Sequence, residues 1–101
     1  MTEPLAVVFT KDARSLVADI RIWWEGNRPL APELFARELE RAVERLAVAP
    51  TLGTANIDPR LRNVRRLLLP RARYHLYYRV EGGTLVVLAI WHAKRGTEPA
   101  L

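Results

Sequence analysis

The spacing of apolar positions changes along the chain, and each change marks an element. "LAVVF" (Leu5 to Phe9) is a short, β-branched apolar run, which predicts a strand. Thr10 follows as a helix N-cap, and Asp12 puts negative charge in the first turn, where the helix dipole favours it. Leu16, Ile20, Trp23 and Trp24 then recur at helical spacing, with Val17 widening the stripe. This helix is predicted to run to about Asn27 and stop at "NRP", since the residue before a proline avoids the α region. Pro32 suits the first turn of a second helix, whose stripe is Phe35, Leu39, Ala42, Val43 and Leu46 and which ends before Pro50. Glu33 and Arg37 stand four apart, and Arg37–Glu40 and Arg41–Glu44 three apart, as surface pairs. The short connection predicts an antiparallel helical hairpin. Both stripes, Trp23 and Trp24 included, read as core.

"TLGTANIDPRLRN" (Thr51 to Asn63) is a loop rich in turn formers. Three strand-like segments follow: Val64–Leu69, Tyr74–Glu81 and Thr84–His92. The last two flank "EGGT", a two-residue hairpin turn with glycines where positive φ is needed. A tight turn there fixes the register. Val80 faces Leu85, Tyr78 faces Val87, Leu76 faces Ala89 and Tyr74 faces Trp91, an apolar set that packs on the helices. On the other face Arg79 opposes Val86, Tyr77 opposes Leu88, His75 opposes Ile90 and Arg73 opposes His92. That register makes His75 and His92 diagonal neighbours. The fold class is therefore α+β, in the order β-α-α-β-β-β, with a small twisted antiparallel sheet and the hairpin packed on one face. The tail "AKRGTEPAL" is read as irregular.

Composition narrows the classes. The 101 residues, half of them hydrophobic, suit one folded domain over 1–101. There is no cysteine, so disulfides and thiolate metal sites are excluded. Two histidines without a nearby carboxylate pair make a poor metal set, and glycine-rich nucleotide motifs are absent; no cofactor is expected. No apolar run approaches the ~20 residues that span a bilayer, and no signal peptide is visible, so a cytoplasmic protein is expected.

Charge changes the picture more. Residues 1–59 carry seven basic and nine acidic side chains, a balance of −2; residues 60–101 carry nine basic and two acidic, a balance of +7. "RRLLLPRARYHLYYRV" (Arg65 to Val80) alone holds five arginines and no acid. Such asymmetry predicts an anionic partner for the second half, nucleic acid or an acidic protein segment. Arg65, Arg66, Arg71, Arg73, His75, Tyr77, Arg79, Val86, Leu88, Ile90, His92, Lys94 and Arg95 are the candidate binding residues. An aliphatic row such as Val86, Leu88 and Ile90 calls for a cover.

"VRRLLLPRARYHLYYRV" (Val64 to Val80) and "LVVLAIWHAKRG" (Leu85 to Gly96), with the strand–hairpin–sheet order, resemble toxins of the RelE/ParE superfamily, from bacterial type II toxin–antitoxin modules. The resemblance implies neutralisation by an antitoxin whose extended, acidic and amphipathic C-terminal segment wraps the toxin in a hetero-oligomer. It implies two activities. ParE-like members bind and poison DNA gyrase without chemistry of their own; RelE-like members cleave mRNA in the ribosomal decoding site. The nuclease reading would use His75 and His92 as acid and base, with Arg73 and Arg79 holding phosphate. His75 stands where RelE-like toxins carry an arginine, and nothing aromatic follows Trp91 to match their C-terminal tyrosine. "WHAKRG" is similar to the "LHGRR" ending of ParE-like members. The expected function is thus a ParE-like growth inhibitor; the alternatives are a RelE-like endoribonuclease and a basic RNA-binding or inactive toxin-fold domain.

Overall fold

Strand β1 (Ala6–Phe9) leads into helix α1 (Lys11–Asn27) through Thr10, whose Oγ1 accepts the Ala13 N–H at 3.1 Å. The structure, a computed structural model, describes residues 3–55, 59–94 and 99. Helix α1 closes with the Arg28 N–H donating to the Trp24 carbonyl at 2.9 Å, just before Pro29. Helix α2 (Leu34–Val48) buries Phe35, Leu39, Ala42, Leu46 and Ala47, close to the predicted stripe. The Glu33–Arg37 pair forms at 2.9 Å.

Sheet strands follow as β2 (Thr54–Ala55), β3 (Arg65–Leu69), β4 (Tyr74–Glu81) and β5 (Thr84–His92), arranged β1-β5-β4-β3-β2. Two features differ from the expectation. The sheet is mixed, not wholly antiparallel: β1 runs parallel to β5, from Ala6 opposite Thr84 to Phe9 opposite Val87. The helical hairpin between β1 and the rest supplies the long crossover a parallel neighbour needs. Secondly, the loop after α2 contains β2, which pairs Thr54 with Arg66 and Ala55 with Arg65. Residues 56–58 of that loop, and most of the tail read as irregular, lie outside the described residues.

The β4–β5 register begins as predicted, with Val80 opposite Leu85, Arg79 opposite Val86 and Tyr78 opposite Val87. It then slips by one. Tyr77 faces Ala89, Leu76 faces Ile90, His75 faces Trp91 and Tyr74 faces His92, leaving Leu88 as the extra residue of a β-bulge. Its position has a physical reason. The β1 ladder ends at Phe9–Val87, and Thr10 then donates from its N–H to the Val87 carbonyl (3.0 Å) and from Oγ1 to the Leu88 carbonyl (3.4 Å). The turn from strand to helix captures the backbone of β5 where the bulge sits. In the "EGGT" turn only Gly82 has positive φ, +58°; one left-handed position suffices.

The main core lies between the sheet and the hairpin: Phe35, Leu39, Leu46, Leu69, Leu76, Tyr78, Leu85, Val87 and Ile90, with Trp24 and Ala13 from α1. Trp23 corrects the predicted stripe. It is 44 % exposed, because neighbouring helix positions point about 100° apart and only Trp24 aims inward. Tyr78 ties the loop after α2 to the sheet: its hydroxyl donates to the Pro50 carbonyl at 2.6 Å and accepts the Gly53 N–H at 2.9 Å. Burial pushes that phenol above its ordinary pKa, against smaller opposing effects of the Gly53 N–H and Arg65. Glu38 of α2 ties down the β3–β4 turn, its two oxygens accepting the N–H groups of Arg71 (2.9 Å) and Ala72 (2.8 Å). No helix among the described residues is long and apolar enough to cross a membrane.

Candidate functional site

The bulge separates residues that the unbroken register placed together. Alternation along β3, β4 and β5 puts Arg66, Leu68, His75, Tyr77, Arg79, Val86, Ala89 and Trp91 on the sheet face away from the main core. Ile90, expected beside them, is instead 1 % exposed in the main core, because the bulge rotates it to the helical side. His92 rotates with it and stacks edge-on against Tyr74, ring centroids 5.1 Å apart. His75 stays on the second face beside Tyr77, with 6.3 Å between ring centroids. The two histidines therefore lie on opposite faces and do not form the diagonal pair of the sequence reading.

Much of the second face is covered by the chain itself. Tyr77, expected at the working surface, is 2 % exposed. It packs with Val64 and Ala89 under Leu61, Leu88, Trp91 and Leu16. Leu16 reaches this cluster because β1 covers β5 only as far as Val87, so the first turns of α1 run past its uncovered edge. What remains accessible is a half-exposed band of Arg79, Val86, Leu88, His75 and Arg66, flanked by Val8 of β1 and Leu68 of β3, which are more exposed still. Arg79 lies across it, 2.8 Å from Glu81. The band is basic and aliphatic, the character predicted, but narrower.

Burial first, and the Arg66 charge second, hold the His75 pKa below its usual 6.5. The unfolded chain therefore binds the proton more readily than the folded one, and folding stability falls as pH drops below about 6.5. Thermal melts over about pH 5 to 7 are expected to show this slope in the native protein and less of it in His75→Gln; an unchanged slope would assign it to other groups.

The other basic candidates lie elsewhere. Arg71 and Arg73 are in the β3–β4 turn, Arg73 with φ +69° and therefore outside β4, not opposite His92. Its carbonyl accepts the Ala93 N–H at 2.9 Å. Together with His92, Lys94, Trp91, Tyr74, the α1 residues Trp23 and Trp24, and Arg28 just after the helix, they line an open groove of about 760 Å³ at one end of the molecule. Arg28 was missed by the sequence reading. Its guanidinium sits 5.3 Å from the Trp23 ring centre and 5.9 Å from that of Trp24, and its spacing of four from Trp24 was the available signal. Arg65 turns its Nη1 to the Gly53 carbonyl at 2.8 Å, holding β2. Lys94 is exposed, and Arg95 lies outside the described residues. Among the described residues, no group of three or more histidine and carboxylate side chains is placed to hold a metal ion.

The chain's sequence matches the family described as the ParE toxin of the type II toxin–antitoxin system, parDE, over residues 7–96. Its fold is similar to a chain of the chromosomal ParDE toxin–antitoxin system from P. aeruginosa, with TM-score 0.74 and 19% identity, covering 92% of this chain and 100% of that one. It is also similar to a chain of the toxin–antitoxin complex RelBE2 from Mycobacterium tuberculosis, with TM-score 0.61 and 25% identity, covering 89% and 99%. A comparison with curated proteins finds no match.

Proposed function

The chain belongs to the ParE toxin family of type II toxin–antitoxin systems, and on that premise we propose that it arrests growth by binding an essential protein, DNA gyrase, and is neutralised by a cognate antitoxin. The proposed contact for both partners is the band of Arg66, His75, Arg79, Val86 and Leu88: the target engages it, and the antitoxin occludes it with an acidic, amphipathic segment. Action in the cytoplasm follows from that target. The observation that carries the binding reading over RNA cleavage is the position of the histidines. A general acid and base must both reach one scissile bond, and His75 and His92 face opposite ways from a single sheet. The accessible band offers cations and aliphatic surface, which suits a protein partner of opposite charge.

Expression from a tightly repressed promoter is expected to stop bacterial growth, and co-expression of the neighbouring antitoxin gene to restore it. Purified protein is expected to inhibit gyrase supercoiling and leave ribosome-bound mRNA intact. Codon-specific cleavage on ribosomes would overturn the gyrase assignment in favour of an endoribonuclease. Normal growth with soluble, folded protein would overturn the toxin activity itself. Arg79→Glu combined with Val86→Glu is expected to abolish arrest while the thermal midpoint stays within a few degrees.

A further inference from the structure

All three tryptophans of the chain, Trp23, Trp24 and Trp91, line the open groove at the end of the molecule. Trp23 and Trp24 meet edge-on, with ring centroids 5.9 Å apart. Trp24 is 7 % exposed, yet its Nε1–H has no acceptor among the described residues, an uncommon state for a buried donor. Trp23 keeps nearly half of its surface open, so an indole stands at the groove with area left for stacking. Around these rings stand four cations, Arg28, Arg71, Arg73 and Lys94, against one carboxylate, Asp19.

The β3–β4 turn does not account for its arginine side chains. Arg71 serves it through its backbone N–H, held by Glu38, and Arg73 through backbone bonds to Leu69 and Ala93. Arg73 does so at φ +69°, a left-handed conformation that glycine adopts freely and arginine only against its own Cβ. Strain of this kind persists where a side chain is wanted at a site. The same backbone bonds fix the turn, so both arginines line the groove from a rigid base.

We propose that the groove binds a free nucleotide, its base stacked on Trp23 and its phosphates held by Arg71, Arg73 and Lys94. The volume, about 760 Å³, lies within the range of about 300 to 1,000 Å³ usual for small-molecule sites. Aromatic faces beside cations suit a planar base carrying phosphate, whereas a purely acidic ligand would leave the indoles unused. A base also brings ring-nitrogen and carbonyl acceptors, the partners that the Trp24 Nε1–H lacks. The chain has no glycine-rich phosphate loop, so side chains supply the grip. Four cations against one carboxylate leave three positive charges in excess, which favours a triphosphate over a monophosphate. Arg66 and Arg79 lie on the other face of the sheet, so they do not extend the groove into a track for a polynucleotide. The groove is separate from the second-face band and does not depend on gyrase being the target.

ATP, added without metal to the full chain, tests this through tryptophan fluorescence, since every indole reports from the groove. Saturable quenching is expected, and it should weaken as salt is raised. Adenosine, which lacks phosphate, and inorganic triphosphate, which lacks the base, should each bind about tenfold or more weaker, read by their displacement of ATP. Trp23→Ala, at an exposed position, should weaken ATP binding about tenfold with the thermal midpoint kept. Arg73→Gly separates binding from folding. Loss of the side chain should weaken ATP to a similar degree, while relief of the left-handed strain leaves the midpoint equal or higher. No saturable quenching by ATP, equal affinity for adenosine or inorganic triphosphate, or unchanged affinity in either variant would overturn the proposal. So would tighter binding of a single-stranded RNA oligonucleotide than of ATP, which would make the groove a nucleic-acid site.

Discussion

Gly53→Ala is expected to lower the free energy of unfolding by about 3 kcal/mol, a large effect for one methyl group. Backbone conformation is not the cause, since φ at Gly53 is −70°, open to any residue. The cause is space. A Cβ there would lie 2.7 Å from Cε1 of Tyr78 and 2.9 Å from the carbonyl oxygen of Arg66, and closer still to the Tyr78 hydroxyl. Neither neighbour yields easily: Tyr78 is wholly buried and Arg66 belongs to the β2–β3 ladder. Separation would also break the bond from the Gly53 N–H to the Tyr78 hydroxyl, worth about 1 kcal/mol. Tyr78→Phe in the same background removes the oxygen and is expected to make Gly53→Ala less costly, a coupling that urea unfolding of the four proteins would resolve. Gly82→Ala is the control, with open space around it and only a positive φ to strain. A Gly53→Ala cost below about 1 kcal/mol would mean that Tyr78 does not clamp this loop.

That clamp marks where the sequence was hard to read. The helices were legible because their signals are local: an N-cap at Thr10, prolines at 29 and 32, and apolar stripes of period 3.6. The hairpin was legible from its two glycines. Strand β2 was not, because Thr54 and Ala55 carry no strand pattern of their own and are held through Arg65 and the neighbouring Tyr78–Gly53 contact. The bulge was hidden for a similar reason. "LVVLAIW" is apolar on both parities, so it accepts either register, and the choice falls to Thr10, far away in sequence. The basic and aliphatic character of the second face could be read from alternation, whereas its narrowing under Leu61 and Val64 depended on how the loop folds back.

The bulge also makes Leu88 and Ile90 behave as opposites, although both looked like neighbours on one open face. Ile90→Ala is expected to cost about 3 kcal/mol, since the side chain is fully buried in the main core and its removal leaves a cavity. Leu88→Ala is expected to cost about 1 kcal/mol, because the residue is only half-buried at the edge of the smaller cluster. An unbroken register demands near-equal costs, and equal midpoints in urea would remove the bulge from the account. The same contrast governs how loss of toxicity is read. An Ile90 variant that loses growth arrest should lose it in step with its folded fraction, and recover when the temperature is lowered. A Leu88→Asp variant should keep its fold and lose arrest at every temperature, because its charge meets the incoming partner and not the core. Scanning substitutions across β5 for toxicity alone would merge the two classes; pairing each with an unfolding curve separates the residues that build the face from those that use it.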